Sequence, residues 1–264
     1  MKSILIAKNI SELIYQLKIN KGLQVVGGCT NITELPEKSI STYGIKELSQ
    51  IVRHERYIDI GPGVSLSKIL NIGQNHLPQI LYEALNSIAN PLIRNIATIG
   101  GNICNENQKL TLFAPLVALE AKLEFKNQSE TKFEQIQNFK KVPDGFILSN
   151  IRVPIVDADL SIFRRIGPEH SISEQSASFA FVACTERNSL IDVRLAFAGP
   201  FTFKSKTLEN TLVGHRLPLN HKDINLIMGL ILEEFNQTSR DQMISDVMKQ
   251  QFLNLTRYSF EQLR

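Results

Sequence analysis

Two glycine pairs stand beside small polar residues in this sequence, a combination that suits the binding of a diphosphate group. Residues 25–31 read Val-Val-Gly-Gly-Cys-Thr-Asn, and residues 93–102 read Ile-Arg-Asn-Ile-Ala-Thr-Ile-Gly-Gly-Asn. Glycine permits a positive φ and a close approach of the backbone to a ligand, and successive N–H groups of such a turn can form a concave anion site. Each pair alone is better explained as a tight turn, and the presence of two favours a diphosphate site only modestly. The side chains that could add hydrogen bonds are those of Thr30, Asn31, Thr98 and Asn102.

No other motif in the sequence indicates a nucleotide site or a catalytic site. A Gly-Pro-Gly turn begins at Gly61, but Leu66 stands where a dinucleotide-binding turn has its third glycine, and Pro62 has no N–H to donate. We therefore predict a structural strand-to-helix turn there. The sequence has no P-loop, no zinc-protease motif and no nucleophile elbow, and its histidines lack metal-ligand spacing, so no residue is assigned a catalytic or metal-binding role. The histidines are His54, His76, His170, His215 and His221.

The cysteines and the charges narrow the class of protein. Three cysteines, Cys29, Cys104 and Cys184, are too few for an iron–sulfur cluster, and an odd number at wide spacing argues against a disulfide framework. We expect Cys184 to be buried and inert, and the other two to lie near a site because each is close to a glycine pair. The net charge of +3 is dispersed, and no apolar run is long enough for a bilayer or a secretory signal. The expectation is a cytoplasmic protein that binds neither nucleic acid nor membrane.

The elements that must position these residues alternate between helices and strands, which predicts an α+β protein. In the first part of the chain the predictions are a helix over residues 11–18 with Ser11 as its N-cap, a short buried strand over residues 24–26, a strand over residues 57–60, a helix from the Ser65 cap to Leu70, and a helix over residues 79–89 that Pro91 ends. The character of the sequence changes at residues 154–159, and we place a domain boundary there.

The second part of the chain predicts a hairpin and two closing helices. The hairpin pairs residues 176–186 with residues 190–198 around Arg187, Asn188 and Ser189. Each helix has an apolar stripe that predicts core packing. The stripes consist of Ile224, Ile227, Met228, Ile231, Leu232 and Phe235 in the first helix, and of Ile244, Val247, Met248, Phe252, Leu255 and Tyr258 in the second.

Residues 93–102 also resemble a signature, I-R-N-x-A-T-I-G-G-N, of the FAD-binding subunits of molybdenum hydroxylases. That family includes the flavin domains of xanthine dehydrogenase and the medium subunit of aerobic carbon monoxide dehydrogenase. Four shorter segments are similar to further family motifs, in the same order along the chain, so that the resemblance covers nearly all of it. They are Val26 to Thr30 for A-G-G-T-D, Ile58 to Gly61 for I-G-A, Phe163 to Gly167 for Y-R-K-V-G, and Glu209, Leu212 and Gly214 for E-x-x-L-x-G.

The resemblance implies a two-lobed FAD-binding fold of the vanillyl-alcohol-oxidase type, followed by a small α+β domain. The implied domains are residues 1–155, with the two lobes split near residue 55, and residues 156–264. Both glycine loops would bind the FAD diphosphate, an apolar residue would pack near the isoalloxazine, and a cation would lie near the flavin ring. The implied cofactor-binding residues are Gly27, Gly28, Cys29, Thr30, Asn31, Thr98, Ile99, Gly100, Gly101, Asn102, Leu148 and, as the cation, Arg165 or its neighbour Arg164.

Two departures from the family pattern bear on flavin affinity. The family commonly has a Ser-Pro and then an Asp that contacts the flavin after the second loop, whereas this chain has residues 105–111 with Thr111 in the place of the Asp. The family's Arg pair after Gly167 is replaced by Pro168 and Glu169. Arginine in place of the family's Lys at Arg165 is a further change, since its planar guanidinium never deprotonates.

The function that the resemblance implies is electron transfer within a multi-subunit oxidoreductase of the xanthine dehydrogenase type. Electrons would come from a partner with two [2Fe–2S] clusters, beside a molybdopterin-binding subunit, and would leave to NAD⁺ or another acceptor. Three alternatives stay open at this point. The chain could be a flavin-free structural subunit of such a complex, a stand-alone flavin reductase of the same fold, or a generic nucleotide-binding module.

Overall fold

The computed structural model describes residues 3–106, 108–168 and 171–263. Its elements in the first part of the chain are β1 (Ser3–Ile6), α1 (Ile10–Ile19), β2 (Gln24–Val26), β3 (Lys38–Ser41), β4 (Ile51–Arg53), β5 (Tyr57–Ile60), α2 (Leu66–Leu70), α3 (Gln79–Asn86), α4 (Pro91–Ile96), α5 (Ile99–Ile103) and α6 (Phe113–Ala118). They continue with β6 (Lys122–Lys126), β7 (Thr131–Gln135), β8 (Ile147–Pro154), β9 (Leu160–Ile166), β10 (Ala177–Glu186), β11 (Ser189–Ala198), β12 (Thr202–Phe203), α7 (Lys206–Leu212), α8 (His221–Thr238) and α9 (Asp246–Glu261).

These elements pack into two units. The first unit comprises Met1–Leu77, Ile88–Glu106 and Glu120–Ile155, and the second comprises Pro78–Ser87, Asn107–Leu119 and Val156–Arg264. The last passage of the chain from one unit to the other falls within the predicted boundary at residues 154–159. The second unit also includes α3 and α6, two helices that precede that boundary in sequence.

In the first unit, a small parallel sheet in the order β1-β3-β2 packs against α1. Leu13 and Ile14 of α1 are buried with Ile40 of β3. The predicted helix is confirmed, but its predicted cap is wrong. Asn9 caps α1 instead of Ser11, since its Oδ1 accepts the N–H of Glu12 at 2.8 Å. The prediction that β2 is buried is also wrong, because β2 is an edge strand and its first two residues are exposed.

The second sheet of the first unit has five antiparallel strands in the order β4-β5-β8-β6-β7. Alternate residues of β5 and β6, and of β8 from Ser149 onward, are buried, as expected for a sheet with one face against a core. The other face carries polar side chains. Arg152 of β8 donates two hydrogen bonds of 2.9 Å to the carboxylate of Asp59 on β5, and its guanidinium lies 4.0 Å from the centre of the Tyr57 ring.

The helix predicted over residues 79–89 is shorter, and Pro91 begins a helix where it was expected to end one. Ser87 is the C-cap of α3, and Ala89 has a φ of 45°, which lies outside the range of a right-handed α-helix. The side chain of Asn90 then caps α4 by accepting the N–H of Ile93 at 3.0 Å. Proline is well suited to the first position of a helix because the N–H that it lacks has no partner there.

The second unit contains a four-stranded antiparallel sheet in the order β12-β11-β10-β9. The predicted hairpin is confirmed as β10 and β11, and the two turn residues Arg187 and Asn188 both have positive φ, as tight hairpin turns require. The core is rich in phenylalanine, and the rings of Phe235 on α8 and Phe252 on α9 stack with centroids 4.3 Å apart.

The two apolar stripes have different outcomes. The stripe of α8 is buried as predicted, except for Leu232, which is exposed. In α9 the prediction is only partly right, since Val247 and Tyr258 are 69% and 45% exposed. The buried face of α9 instead continues through polar residues whose hydroxyls donate to carbonyls of the same helix. It consists of Met248, Phe252, Thr256, Ser259 and Phe260. Across the described part of the chain, no helix is both long and apolar enough to cross a membrane.

Candidate functional site

The two glycine loops, residues 27–31 and 98–102, lie against each other in the first unit. A Cβ added to Gly28 would lie 2.0 Å from the carbonyl oxygen of Ile96, and one added to Gly27 would lie 2.9 Å from Thr98 Oγ1. Both distances are shorter than a side chain tolerates, so this contact requires glycine on the first loop. The structure therefore brings together the two segments that the sequence singles out.

Close packing, rather than an unusual backbone conformation, explains why these positions are occupied by glycine. Gly27, Gly28, Gly100 and Gly101 have no positive φ, contrary to the expectation from their type; in the two loops only Cys29, at 54°, does. A Cβ on Gly100 would lie 2.6 Å from Cβ and 2.7 Å from the carbonyl oxygen of Pro62. The second loop therefore rests on the Gly-Pro-Gly turn, in agreement with the prediction that this turn is structural.

Four N–H groups of the second loop, those of residues 99–102, are already used within the chain. The donors are Ile99, Gly100, Gly101 and Asn102, and their acceptors are, in that order, the Val64 carbonyl at 3.1 Å, the Pro62 carbonyl at 2.9 Å, Thr98 Oγ1 at 3.1 Å and the Thr98 carbonyl at 3.1 Å. The expectation that this loop offers a concave set of N–H groups to phosphate is therefore wrong in its geometry. The Thr98 hydroxyl accepts from Gly101 and keeps its own proton to donate.

The first loop differs from the second in the hydrogen bonding of its backbone N–H groups. Among the described residues, none accepts a hydrogen bond from the N–H groups of residues 27–31. The side chains of Cys29, Thr30 and Asn31 are exposed. The Cys29 thiol donates to the Gly27 carbonyl at 3.4 Å, and the desolvation that its loop causes raises the pKa of the thiol, even though the residue is largely exposed. It is thus a neutral thiol at pH 7, and the loop presents hydrogen-bond donors without a negative charge.

The arginine of the signature segment has a local structural role that the sequence analysis did not identify. Arg94 donates from Nη1 to the carbonyl oxygens of Ile88 and Ala89, at 2.7 and 2.8 Å. It thereby fixes the turn that precedes α4, whose last residue is Ile96. Because the Ile96 carbonyl is the atom against which Gly28 packs, Arg94 helps to shape the contact between the two loops.

The remaining predicted site residues lie elsewhere in the fold. Leu148 is 6% exposed on β8, opposite Phe125 of β6, in the first unit. Arg165 lies on β9 in the second unit and donates from Nη2 to the carbonyl of Ser171, while Arg164 donates to the Phe163 carbonyl.

Some of the positions at which this chain departs from the family pattern line one cleft of the second unit. Thr111 and Arg165 line it together with Gln108 and Ser176. Lys109 also lines it, and its Nζ lies 4.4 Å from the centre of the Phe113 ring. The Glu169 half of the second departure lies outside the described residues, as do Asn107 and His170.

The residues that match the E-x-x-L-x-G motif serve the packing of the second unit. Glu209 is 2% exposed, and its Oε1 accepts the N–H of Leu195 at 3.1 Å and lies 3.5 Å from Lys204 Nζ. Leu212 is buried, and Gly214 has a φ of 90° that favours glycine. This motif therefore indicates the fold rather than a binding site.

All three cysteines are free thiols. The expectation that Cys184 is buried is wrong, because it is only half-buried at the end of β10. Desolvation, and then the charge of Asp192, raise the pKa of its thiol, so that it is still an unreactive thiol at neutral pH. Cys104 is half-buried at the end of α5, next to the second loop.

Comparison with known proteins agrees with this arrangement. Residues 1–156 match the family of FAD-binding domains in molybdopterin dehydrogenases. A putative xanthine dehydrogenase FAD-binding subunit of Escherichia coli (strain K12) is 26% identical over 255 residues, which are 86% of this chain and 84% of that protein. The glyceraldehyde dehydrogenase medium chain of Sulfolobus acidocaldarius is 22% identical over 228 residues, 80% of each chain.

Solved structures extend the likeness over the whole chain. The Cu,Mo-dependent carbon monoxide dehydrogenase superposes with a TM-score of 0.80 at 16% identity, covering 99% of this chain and 96% of that one. Quinoline 2-oxidoreductase of Pseudomonas putida 86 superposes with a TM-score of 0.79 at 14% identity, covering 100% and 95%. The predicted fold is confirmed by these likenesses. The chain belongs to the family of FAD-binding domains of molybdopterin dehydrogenases, and it is an oxidoreductase component with FAD as its cofactor.

Proposed function

We propose that this chain is the electron-transferring flavoprotein subunit of a molybdenum hydroxylase and that its two glycine loops hold the FAD diphosphate. The observation that carries the proposal is the contact between the loops, at which Gly28 leaves no room for a side chain beside Ile96. A loop whose N–H groups have no acceptor among the described residues lies there against a loop in which the N–H groups of residues 99–102 all have acceptors. Such an arrangement fits a negatively charged group that approaches the first loop.

The two loops have different tasks in this proposal. The N–H groups of residues 27–31 donate to the phosphate oxygens, with the side chains of Thr30 and Asn31 beside them. The second loop contributes the Thr98 hydroxyl and the side chain of Asn102, while its backbone is the support for the first loop. Leu148 and Arg165 are proposed from the family resemblance to serve the flavin ring, Leu148 by apolar contact and Arg165 by its charge.

FAD supplies two-electron redox chemistry to such a complex, and the protein supplies position and electrostatics. We propose that the electrons come from an iron–sulfur partner, that a molybdopterin-binding partner oxidises the substrate, and that NAD⁺ or another acceptor takes the electrons up. The residues of this chain exclude water, hold the cofactor and set its electrostatic surroundings, and none of them acts as acid or base. A cytoplasmic location is part of the same proposal.

A titration with FAD tests the proposal. The purified full-length chain is mixed with FAD, and the absorption bands and the fluorescence of the flavin are followed to saturation. We expect non-covalent binding, so that denaturation with acid releases the whole of the flavin. A chain that takes up no FAD at high micromolar concentration would contradict the proposal.

That second outcome would favour a flavin-free structural subunit. The observation behind this alternative is Thr111, which stands where the family has an Asp that contacts the flavin. The second loop adds to it, because its N–H groups at residues 99–102 have acceptors within the chain and are not available to phosphate.

A further inference from the structure

A glutamine in the second unit holds together a turn formed by residues 171–176. Gln108 Nε2 donates to the carbonyl oxygens of Ser173 and Ser176, each at 2.7 Å. Within the turn, the N–H of Ser176 donates to the Ser173 carbonyl at 2.9 Å, and the N–H of Ser173 donates to Ser176 Oγ at 3.0 Å. Because a single amide group serves two carbonyls of the turn, its removal takes away two hydrogen bonds at once.

The same turn contacts Arg165. The carbonyl of Ser171, two residues before Ser173, accepts a hydrogen bond from Arg165 Nη2. Gln108 and Arg165 line one cleft, so that the amide, the turn and the guanidinium form a continuous set of contacts. An arginine side chain has several rotatable bonds, and an acceptor that is itself fixed limits the orientations of its planar group.

We infer that Gln108 is a positioning residue of the flavin site: it fixes the turn of residues 171–176 and, through the Ser171 carbonyl, the orientation of Arg165. The inference rests on the proposed function, in which Arg165 is the cation that serves the flavin ring. A cation near the isoalloxazine favours the reduced cofactor, which carries the greater negative charge. A disordered Arg165 therefore lowers the reduction potential of the bound flavin and weakens FAD binding.

The test compares substitutions at Gln108 in the full-length chain loaded with FAD. Gln108→Met keeps the approximate volume and removes both donors, whereas Gln108→Asn keeps the uncharged amide on a side chain that is one methylene shorter. Gln251→Met is the matched control, since Gln251 is exposed on α9. The FAD dissociation constant and the flavin midpoint potential are measured for each, and again in the background of Arg165→Ala. Hydrogen exchange of residues 171–176 is measured without FAD.

We expect Gln108→Met to weaken FAD binding about fivefold, to shift the midpoint potential downward and to speed hydrogen exchange in the turn. Gln108→Asn, whose amide still donates, keeps both flavin properties closer to wild type than Gln108→Met does, and Gln251→Met leaves them unchanged. In the Arg165→Ala background, Gln108→Met adds nothing further, because the two residues act in series.

Three results would overturn the inference. One is a Gln108→Met protein with the wild-type potential and affinity, and another is a shift that persists undiminished without Arg165. If Gln108→Met does not fold, Ser176→Ala takes its place, since it removes a hydrogen bond from within the same turn; a wild-type potential in that variant is the third. A wild-type chain that binds no FAD would contradict the proposed function itself, which is a different and recognisable failure.

Discussion

Gly100 and Gly101 are adjacent, yet a side chain at each would meet different surroundings. A Cβ on Gly100 would overlap the backbone of Pro62, whereas a Cβ on Gly101 would meet only Thr98 Oγ1, at 3.1 Å. Gly101 is also exposed, and it lies in α5, where alanine is intrinsically favoured over glycine by about 1 kcal/mol. Substitutions at the two positions therefore test folding and cofactor binding separately.

We predict that Gly101→Ala weakens FAD binding at least about tenfold, because the methyl group lies where the diphosphate approaches, and leaves the melting temperature nearly unchanged. Gly100→Ala, the matched variant, destabilises the chain by about 1–3 kcal/mol because it overpacks the contact with Pro62. FAD titration and thermal unfolding of the FAD-free proteins measure both effects. If Gly101→Ala lowers stability as much as Gly100→Ala does, the second glycine serves packing and not the cofactor.

At the scale of single residues, the sequence identified the right segments but not the reason for their residue types. The glycine pairs indicated a site because glycine often means a special backbone conformation, yet the four glycines are conformationally ordinary. Their necessity comes from contacts with Ile96, Thr98 and Pro62. Contacts between segments about seventy residues apart depend on tertiary structure, and no local pattern contains them. The structural role of Arg94 could not be predicted from the sequence for the same reason.

The ion pair between β5 and β8 gives the sheet of the first unit a pH-dependent contribution to stability. Burial alone would raise the pKa of Asp59, but hydrogen bonds from Arg152 and Asn150, together with the charges of Arg152 and His54, outweigh it and lower that pKa. The pKa of Arg152 is raised, chiefly by its hydrogen bond to Asp59. A carboxyl with a depressed pKa stabilises the fold above its unfolded-state pKa, and that stabilisation is lost as the pH falls through the folded-state value.

We therefore predict that Asp59→Asn destabilises the chain by about 1 kcal/mol at neutral pH, the magnitude of a bidentate pair that is partly exposed. The difference from wild type stays constant down to roughly pH 5 and shrinks below about pH 4, where the unfolded carboxyl takes up its proton. Urea unfolding at a series of pH values measures it. A difference that grows as the pH falls would contradict the sign of this argument.

The helix α9 shows how far periodicity predicts a buried face. A stripe based on apolar residues alone includes Val247 and Tyr258, whereas the helix buries Thr256 and Ser259. Those hydroxyls donate to carbonyls of their own helix, at 2.8 Å each, which removes the usual cost of burying a polar group. In α8, where all but one of the stripe residues are buried, the same reasoning was right.

We predict that Phe252→Ala destabilises the chain by about 3–5 kcal/mol, the cost of a large cavity among the rings that surround it. Tyr258→Ala, six residues further along the same helix, costs less than about 1 kcal/mol because its ring is 45% exposed. Thermal or urea unfolding of the two variants measures the difference. Equal losses would mean that the apolar stripe with Tyr258, and not the face with Thr256 and Ser259, packs against the core.

At the scale of the whole molecule, the family match and the fold cover different lengths of the chain. The family match ends at residue 156, whereas the solved structures superpose on 99% or more of the chain. The family motifs identified in the sequence after that point are short, and Glu209, Leu212 and Gly214, for example, serve packing. A fold is retained with few fixed residues, and this is why the second unit was harder to predict than the first.

The domain organisation illustrates the same limit. A boundary near residue 155 can be predicted from a change in local character, and the chain does pass between the two units there. The membership of α3 and α6 in the second unit could not be predicted, because both helices precede the boundary in sequence. Their packing against the strands β9 and β10 depends on contacts that no local pattern contains.

The last prediction concerns the source of the electrons. Two [2Fe–2S] clusters usually require about eight ligands, and this chain has three cysteines in separate places: Cys29 in the first loop, Cys104 at the end of α5, and Cys184 in β10. In the proposed function the electrons therefore arrive from another polypeptide. We predict that the isolated chain, loaded with FAD, hydroxylates no N-heterocycle or aldehyde. From its native cells it copurifies with an iron–sulfur protein and a molybdopterin protein, and the assembled complex reduces its flavin when substrate is added.

Copurification followed by flavin absorption during turnover checks this prediction, and Gly101→Ala is its matched control. The variant should copurify with the same partners, since its fold is intact, but its complex should reduce FAD poorly because the cofactor is lost. Loss of the partners together with the cofactor would show that FAD builds the interface. A chain that occurs in its native cells as a free monomer, and reduces a small organic substrate with NAD(P)H unaided, would contradict electron transfer between subunits and establish the stand-alone flavin reductase instead.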